Sequence, residues 1–280
     1  MMIRKAGICI REERLIPFLK WPGGKRWFIQ RYSDIFPNQF QTYFEPFLGG
    51  GSVYFYLRPT GAVLGDINAD LIATYQGIKA NWRRLEELLK MHSKKHSDEY
   101  YYKVRARCPR DPVERAARLI YMNRTCFNGI YRVNLKGEFN VPRGTRDSVL
   151  LDTDNFEETS KLLRGAAILN QDFEFLIDQA KESDLVFADP PYTVRHNFNG
   201  FIKYNEKLFS WQDQIRLAHA LNRARKRGAM VVATNANHES VLALYGDLGF
   251  HLETASRYSA ISASSEGRIQ YEELVITANI

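Results

Sequence analysis

The sequence predicts a mixed α/β fold: a mostly parallel sheet with helices on both faces, interrupted by an inserted helical and β-hairpin segment. Short apolar runs alternate with helical patterns, which is typical of parallel sheets. The run Leu185–Ala188 is apolar throughout and is soon followed by Pro190 and Pro191, as expected of a buried strand entering a rigid turn. Residues 69–150 are basic and helical and interrupt the alternation. We therefore expect one domain from residues 1–68 and 151–280, and an inserted domain from residues 69–150.

The individual elements follow from local patterns. Strands are predicted at Thr42–Phe47, Ala62–Asp66, Ala166–Leu169, Leu185–Ala188, Ala229–Thr234 and Leu274–Ala278. Helices are predicted from Leu71 to Leu89, at Val113–Met122, at Gln212–Lys226 behind a capping box at Ser210, and at Glu239–Leu248. Turn signals at Asn128-Gly129 and Lys136-Gly137 predict a hairpin in the insertion. Residues 193–207 and 262–268 are expected to be mobile loops.

The charge is concentrated in the insertion. The chain carries 39 basic and 32 acidic residues, a net charge of +7. Residues 69–150 hold 17 basic and 9 acidic residues, so the rest holds 39−17 = 22 and 32−9 = 23. A polyanion is the natural partner of such a segment, because each neutralised phosphate releases counterions. A solvated basic surface is the alternative.

Composition also narrows the class of protein. Cys9, Cys108 and Cys126 are odd in number and far apart, which argues against a disulfide framework or a structural zinc site. His92 and His96 have helical spacing without a third ligand, and we expect them on a solvated helix face. The charged N-terminus and the absence of a long apolar span favour a soluble, cytoplasmic protein.

A rigid corner follows the strand Leu185–Ala188. Asp189 is followed by Pro190 and Pro191, which fix the backbone, and by the ring of Tyr192. Ligands bind at the carboxyl ends of strands in open α/β sheets. A fixed carboxylate, a carbonyl and a stacking ring could clamp a planar base by its exocyclic amine. An ordinary strand running into a proline-rich turn is the alternative.

A nucleoside-type site is predicted near the N-terminus. A strand precedes a glycine-rich loop, and Asp66 ends the next strand 17 residues after Gly49. This approaches the spacing of about 20 residues at which a carboxylate meets ribose hydroxyls. No basic residue adjoins the loop to match a pyrophosphate, which favours an adenosine ligand without phosphates over NAD. Asp172 follows another strand and could accept from the ligand's exocyclic amine, with Phe173 packing nearby.

Two further stretches have binding character. Gly23-Gly24 allows close backbone approach beside the ring of Trp21 and the charge of Lys25, but Arg26 stands where a P-loop needs Ser or Thr. In the insertion, residues 123–142 interleave Arg and Asn with Phe and Tyr, as groove readout and base stacking require. An ordinary polar hairpin is the alternative there.

Together these blocks resemble the Dam-type (D12 class) DNA adenine-N6 methyltransferases, from about Phe18 to Ala278. The matching blocks are Trp21-Pro22-Gly23-Gly24-Lys25, Phe44–Val53, Gly65-Asp66-Ile67-Asn68 and Asp189-Pro190-Pro191-Tyr192. Pro22 stands where Ala is usual. The resemblance implies a Rossmann-like methyltransferase sheet that uses S-adenosylmethionine (SAM), releases S-adenosylhomocysteine and needs no metal. It assigns catalysis to the last block, and SAM binding to Trp21, Gly23, Gly24, Lys25, Glu45, Pro46, Phe47, Gly49, Gly51, Ser52, Asp66, Ile67, Asp172, Phe173 and Asp189.

The insertion is similar to the target-recognition hairpin of members that methylate adenine in GATC. The resemblance implies contacts with double-stranded DNA by Lys20, Arg124, Phe127, Asn128, Ile130, Arg132, Asn134, Asn140 and Pro142. Arg132 and Lys20 would each contact a guanine, and Phe127 would enter the base stack. Ile130 stands where Leu is usual and Phe127 where Tyr is common.

The expected reaction is methyl transfer to N6 of an adenine flipped out of the duplex, and the enzyme is expected to be a monomer. Asp189 and the Pro190 carbonyl would accept the N6 hydrogens while Tyr192 stacks on the base. Three alternatives remain open: a DNA cytosine-N4 methyltransferase, an RNA adenine-N6 methyltransferase, and a non-catalytic DNA-binding protein on the same scaffold. A nicotinamide oxidoreductase fits the glycine loop but not the basic insertion.

Overall fold

The computed structural model describes residues 15–134, 137–193, 209–258 and 270–280. The two predicted mobile loops lie outside these residues, apart from Thr193. The chain divides into two compact units. The first comprises the described part of Met1–Ile29 together with Leu48–Gln171, and the second comprises Gln30–Phe47 together with the described part of Asp172–Ile280. The domain boundaries drawn from the sequence remain a prediction.

Seven strands lie in the described ranges. They are β1 (Tyr43–Glu45), β2 (Ala62–Gly65), β3 (Ala166–Leu169), β4 (Leu185–Ala188), β5 (Met230–Ala236), β6 (His251–Tyr258) and β7 (Gln270–Ala278). In the first unit, β2 and β3 pair in parallel. In the second unit, the order is β1-β4-β5-β7-β6. Pairing there is parallel from β1 to β5, and β7 runs antiparallel to β5 and β6. The predicted mixed α/β fold with a mostly parallel sheet is confirmed.

Strand β6 was not predicted. Its sequence HLETASRY mixes polar and small residues, and of the side chains described in it only Ala255 is buried. An edge strand with one buried side chain lacks the apolar alternation that identifies a strand. All four side chains of β4, by contrast, are buried, as its apolar run predicts.

The helices in the described ranges include all four that the sequence predicted, together with others that it did not predict. They are α1 (Arg26–Tyr32), α2 (Ser52–Leu57), α3 (Ala69–Lys95), α4 (Asp98–Ala106), α5 (Pro112–Thr125), α6 (Phe156–Leu163), α7 (Phe173–Ile177), α8 (Trp211–Lys226) and α9 (Glu239–Gly246), with short 3-10 turns at Ser33–Ile35 and Phe127–Gly129. The predicted capping box is present, because Ser210 accepts from the Asp213 amide and Asp213 accepts from the Ser210 amide. No helix in the described ranges is both long and apolar enough to cross a membrane.

Helix α3 packs closely against α5 in the first unit. A Cβ on Gly77 of α3 would lie 2.5 Å from the Pro112 carbonyl oxygen, so only glycine permits this approach. The expectation of a solvated histidine face on α3 is wrong for His92. That side chain is buried, stacks on the Tyr121 ring of α5, and hydrogen-bonds through Nδ1 to the Tyr100 hydroxyl at 2.9 Å.

Candidate active site and DNA-binding surface

The corner after β4 is held by a partner from β5. Asp189 is half-buried, and its Oδ1 accepts a hydrogen bond of 2.7 Å from the Thr234 hydroxyl. Because β4 and β5 are parallel and in register, with Ala188 opposite Ala233, the residues that follow them lie side by side. Pro190 is buried and Pro191 half-buried, so the backbone beyond the carboxylate is also fixed. The carboxylate is thereby presented in a defined orientation.

Tyr192 is anchored by β7. Its hydroxyl donates a hydrogen bond of 2.6 Å to Glu273 Oε2. Burial raises the pKa of Tyr192 well above its usual value, and the neighbouring Asp189 and Glu273 carboxylates raise it further. The phenol therefore stays protonated and remains a donor across the physiological pH range.

The chain leaving the corner is tied to helix α8. The Thr193 hydroxyl donates to the Phe209 carbonyl at 2.6 Å, and the Gln214 side chain donates to the Thr193 carbonyl at 3.4 Å. Gln214 also exchanges two hydrogen bonds, of 3.1 and 3.0 Å, with the amide of Asn235 on β5. Both amides are buried. This network fixes the end of the corner without any charged group.

An aromatic cluster adjoins the end of β1. Phe47 stacks on Phe173, with ring centroids 5.3 Å apart, and meets Phe209 edge-on at 5.6 Å. Asp172 caps α7 by accepting from the Glu174 amide at 2.9 Å. Arg216 donates to the same Asp172 oxygen at 2.8 Å, and its guanidinium lies 4.8 Å from the Phe173 ring centroid. Arg216 therefore orients both residues that the sequence assigns to an adenine ring.

At the end of β1, Glu45 is buried and accepts a hydrogen bond from the Tyr43 hydroxyl at 2.8 Å. Pro46, which follows it, is also buried.

In the first unit, the glycine-rich loop turns tightly before α2. Gly49 and Gly51 have φ of 47° and 66°, which favour glycine. A Cβ on Gly49 would lie 2.9 Å from Trp21 Cδ1, and one on Gly51 would lie 2.9 Å from the Tyr75 hydroxyl. Ser52 is the first residue of α2. The loop therefore brings bare backbone against the Trp21 side chain.

Asp66 follows β2 and is tied to this loop. Its Oδ2 accepts from the Gly49 amide at 3.1 Å, and its Oδ1 accepts from the Asn68 amide at 2.9 Å. Burial raises the pKa of Asp66, while the two amide donors lower it. Ile67, the next residue, is exposed.

Lys25 is buried at the start of α1. Its Nζ donates to the Gly23 carbonyl at 3.1 Å, and the Gly24 amide closes a turn onto the Trp21 carbonyl at 3.2 Å. The tight turn that Gly23-Gly24 predicts is present, with φ of 77° at Gly23.

Asn123 hydrogen-bonds to both stretches of chain that are predicted to recognise DNA. Its Oδ1 accepts from the Lys20 amide at 2.9 Å, and its Nδ2 donates to the carbonyls of Lys20 and Gly129 at 2.8 and 3.1 Å. The Lys20 ammonium donates to the Asn128 carbonyl. Asn128 and Gly129 have φ of 56° and 66°, which confirms the predicted turn. Two stretches more than 100 residues apart in sequence are thus fixed together, since Lys20 and Asn123 are separated by 103 positions.

The turn presents apolar side chains to solvent. Phe127 is 53% exposed and Ile130 is 42% exposed, although both are large and apolar. Val133 and Phe139 form an antiparallel bridge, while Lys136 of the predicted Lys136-Gly137 turn lies outside the described residues. Across this bridge, Arg132 Nε donates to Asn140 Oδ1 at 3.0 Å, and the Asn134 amide donates to Glu138 at 2.8 Å. Pro142 is exposed, and its carbonyl accepts from the Phe127 amide at 2.9 Å.

Arg124 does not belong to this exposed surface. It is 8% exposed and forms a bidentate ion pair with Asp154, with both N···O distances 2.6 Å. Its Nη atoms also donate to the carbonyls of Val149 and Phe18, at 2.7 and 3.0 Å. A guanidinium committed to these acceptors cannot reach a DNA phosphate or base. Its expected DNA contact is therefore corrected to a structural role.

Sequence reasoning missed the residues that hold the site residues in place. These are Thr234, Glu273, Asn123 and Arg216, which contact Asp189, Tyr192, Lys20 and Asp172 respectively. Each lies on a different element from its partner, so no local spacing connects the two. The only signal was indirect, in that polar side chains interrupt the apolar pattern of β5 and β7.

An α/β fold with a rigid Asp-Pro-Pro-Tyr corner, a glycine loop and an exposed Arg/Asn/Phe segment defines a class of nucleotide-modifying enzyme. The profile of the D12 class N6 adenine-specific DNA methyltransferases matches residues 21–260, and the chain belongs to this family. It is 37% identical to a type II methyltransferase, M1.LlaDCHI, of Lactococcus lactis subsp. cremoris, covering 94% of this chain and 95% of the relative.

Two further relatives are similar over nearly the whole chain. The type II methyltransferase M.MjaIII of Methanocaldococcus jannaschii is 34% identical over 93% of this chain and 98% of its own length. A DNA adenine methylase of Haemophilus influenzae is 29% identical, with 92% of each chain covered. The protein is an adenine-specific DNA methyltransferase, and membership of the family implies the use of SAM. Within the described residues, no group of three or more His, Cys, Asp or Glu side chains could hold a metal ion.

Proposed function

We propose that this enzyme methylates N6 of adenine within GATC in duplex DNA, after flipping the adenine out of the helix. The observation that best supports the proposal is the hydrogen-bonded corner after β4. There Asp189 is oriented by Thr234, and Tyr192 is oriented by Glu273, at 2.7 and 2.6 Å. A target amine inside a duplex is out of reach, so a base must be extruded to meet a corner of this kind, at a cost of about a few kcal/mol.

The donor-binding residues suit SAM in both charge and shape. In the first unit, we assign the Lys25 ammonium to the donor's carboxylate and the Asp66 carboxylate to the ribose hydroxyls. Gly49 and Gly51 let the loop backbone pack closely against Trp21 and Tyr75, which fixes the loop's course beside the proposed donor site. In the second unit, we assign the face of Phe173 and the Asp172 carboxylate to the adenine ring and its amine. When bound, SAM supplies the methyl group that the reaction transfers.

The chain's own residues orient the target base. Asp189 and the Pro190 carbonyl accept the two N6 hydrogens, which turns the nitrogen lone pair toward the donor. The Tyr192 ring stacks on the face of the base. Because alignment of reactants can lower a barrier by about 7–11 kcal/mol, a fixed corner can supply much of the catalysis. Asp189 acts as an orienting acceptor of hydrogen bonds.

The exposed segment supplies sequence recognition. Phe127 is exposed and apolar, and we assign it to a wedge between base pairs. We assign Arg132 and Lys20 to guanines, because arginine and lysine are the commonest partners of guanine in the major groove. Asn128, Ile130 and Pro142 are assigned to inner base pairs, and Asn134 and Asn140 support them across the hairpin. The net charge of residues 69–150, 17−9 = +8, favours binding to the phosphate backbone.

The reaction is tested with the purified full-length protein, duplex DNA and methyl-labelled SAM. Labelled N6-methyladenine after nuclease digestion is the expected product, whereas N4-methylcytosine, or label in RNA alone, would overturn the assignment. Asp189→Ala should abolish transfer and leave DNA binding within about twofold, because the carboxylate orients the amine only after binding. Asp247→Ala, at an exposed carboxylate after α9, is the control and should retain activity.

Sequence specificity is tested separately. Plasmid DNA from a strain that lacks adenine methylation is treated with the enzyme and read at single-base resolution. We expect modification confined to GATC, and efficient modification elsewhere would overturn that specificity without affecting the chemistry. Arg132→Ala should reduce discrimination at one guanine by about 10-fold or more, since a bidentate contact contributes about 1–3 kcal/mol. Arg146→Ala, an exposed arginine of the same segment, is the matched control.

A further inference from the structure

Two neighbouring strands each supply one side chain to the Asp-Pro-Pro-Tyr corner. Thr234 of β5 donates to Asp189, and Glu273 of β7 accepts from Tyr192. In the antiparallel pairing of these strands, Glu273 lies opposite Ala236, two residues beyond Thr234. Both partners therefore lie at the end of β5 that adjoins the carboxyl end of β4.

Glu273 is an unusual residue for its position. It is 9% exposed, whereas glutamate is almost never fully buried unless it is paired. Its neighbours Leu274, Val275 and Ile276 are buried apolar residues. An apolar residue would cost less to bury at this position, so a carboxylate there requires a partner. Tyr192 supplies that partner through a short O–H···O⁻ hydrogen bond, the stronger class of such contacts.

We propose that Glu273 is a positioning residue for methyl transfer, which fixes the plane of the Tyr192 ring so that its face receives the extruded base. The inference rests on the proposed function, because it takes Tyr192 as the stacking residue. Tyr192 has two side-chain torsions, and a hydrogen bond at its hydroxyl restricts both at once. Glu273 acts through Tyr192 and does not itself touch the substrate.

The effect of Glu273 on the rate of methyl transfer can be distinguished from an effect on folding. If the ring plane is fixed before the base arrives, loss of the anchor lowers the rate of transfer and leaves SAM binding unchanged. Glu273→Gln keeps an acceptor at the same position and should preserve most of the rate. Glu273→Ala removes the acceptor and should lower the rate about tenfold, the change expected when one charge-assisted hydrogen bond is lost.

The test is a double-mutant cycle on the full-length enzyme, in single turnovers with saturating DNA and SAM. Tyr192→Phe removes the hydroxyl and keeps the ring, and should also slow transfer about tenfold. If Glu273 acts only through that hydroxyl, Glu273→Ala added to Tyr192→Phe should cost less than a further twofold. Glu272→Ala is the matched control, since its carboxylate is exposed and accepts from Asn237.

Each outcome decides the proposal. An unchanged rate in Glu273→Ala, or a hundredfold loss in the double variant, would overturn it. A raised KM for SAM with an unchanged turnover would indicate a structural role and also overturn it. Should Glu273→Ala fail to fold, Glu273→Met, which fills the same volume without an oxygen acceptor, takes its place in the same cycle with Tyr192→Phe. If Asp189→Ala retains turnover, the proposed function itself fails, whereas an inactive Asp189→Ala beside a normal Glu273→Ala rejects only this inference.

Discussion

The Tyr131 ring stacks on the Trp21 indole, with ring centroids 5.2 Å apart and planes inclined by 29°. The Tyr131 hydroxyl donates to Asp70 Oδ2 at 3.3 Å, and burial raises its pKa to about 12, so that it remains a donor. Tyr131 lies in the segment assigned to DNA, and Trp21 lies against the glycine loop assigned to SAM. The two rings therefore connect both binding functions within the first unit.

Loss of this stack should weaken SAM binding. Tyr131→Ala removes the face on which Trp21 rests, and an aromatic pair contributes about 1 kcal/mol, which corresponds to about a fivefold rise in the Kd for SAM. Tyr131→Phe keeps the stack and should change the Kd less than twofold. Titration calorimetry measures both. Tyr102→Ala, at an exposed tyrosine of α4, is the control, and an equal effect there would contradict the assignment.

Breaking the buried ion pair between Arg124 and Asp154 should greatly lower the stability of the protein. Asp154→Ala leaves the guanidinium buried without its partner, which should lower the free energy of unfolding by about 3–5 kcal/mol. Urea denaturation followed by circular dichroism measures the change. Asp152→Ala, two residues away and exposed, should stay within about 0.5 kcal/mol. A small effect of Asp154→Ala would show that the pair contributes little.

His92 predicts a loss of stability in acid. Burial, together with the nearby charges of Arg107 and Lys95, lowers the pKa of His92 from an ordinary value of 6.5 to about 4. The unfolded state therefore takes up the proton first as pH falls below 6.5. The stability of the fold that depends on neutral His92 is fully present above pH 6.5, declines as the pH falls, and is lost near pH 4.

The loss of unfolding free energy attributable to His92 is at most about 3.5 kcal/mol, because its pKa falls from 6.5 to about 4 and each unit corresponds to about 1.4 kcal/mol. His92→Gln should flatten the dependence of the unfolding free energy on pH between 4 and 6.5. His219→Gln, at an exposed histidine of α8, serves as the comparison. Parallel pH curves for wild type and His92→Gln would contradict the prediction.

Adding one methyl group at Gly49 of the glycine loop should destabilise the protein, whereas the same change at Gly61 should not. Gly49→Ala places a Cβ 2.9 Å from Trp21 at a φ of 47°, and we expect a loss of about 1–3 kcal/mol in unfolding free energy together with weaker SAM binding. Gly61→Ala has open space around its Cβ and should be nearly neutral. Thermal denaturation with and without SAM separates the two effects. Equal behaviour of the two variants would argue against close packing at Gly49.

Most strands, the long helices and one turn could be predicted from the sequence, because each produces a pattern among neighbouring residues. The apolar run of β4, the period of α3 and the turn at Asn128-Gly129 each depend on neighbouring residues. Long-range partners have no such signal. Glu273 reaches Tyr192 only through the pairing of β7 with β5. Arg124 lies in a basic stretch of the sequence, but its partner Asp154 is 30 residues further along the chain, so no local pattern predicts the ion pair.

His92 of α3 illustrates the same limit. Spacing along a helix says which side chains share a face, but it does not say what that face meets. His92 meets the Tyr121 ring of α5 and becomes part of the packed interior. The assignment of roles to the site residues remains a prediction for the experiments proposed above.

Asn123 holds Lys20 and Gly129 through their backbone groups alone. These hydrogen bonds do not involve the side chains of Phe127, Ile130 and Arg132, so those three positions can be exchanged while the bonds of Asn123 persist. Engineering toward a different target sequence should therefore randomise Phe127, Ile130 and Arg132 and leave Asn123 untouched. Diversification within the family could follow the same route.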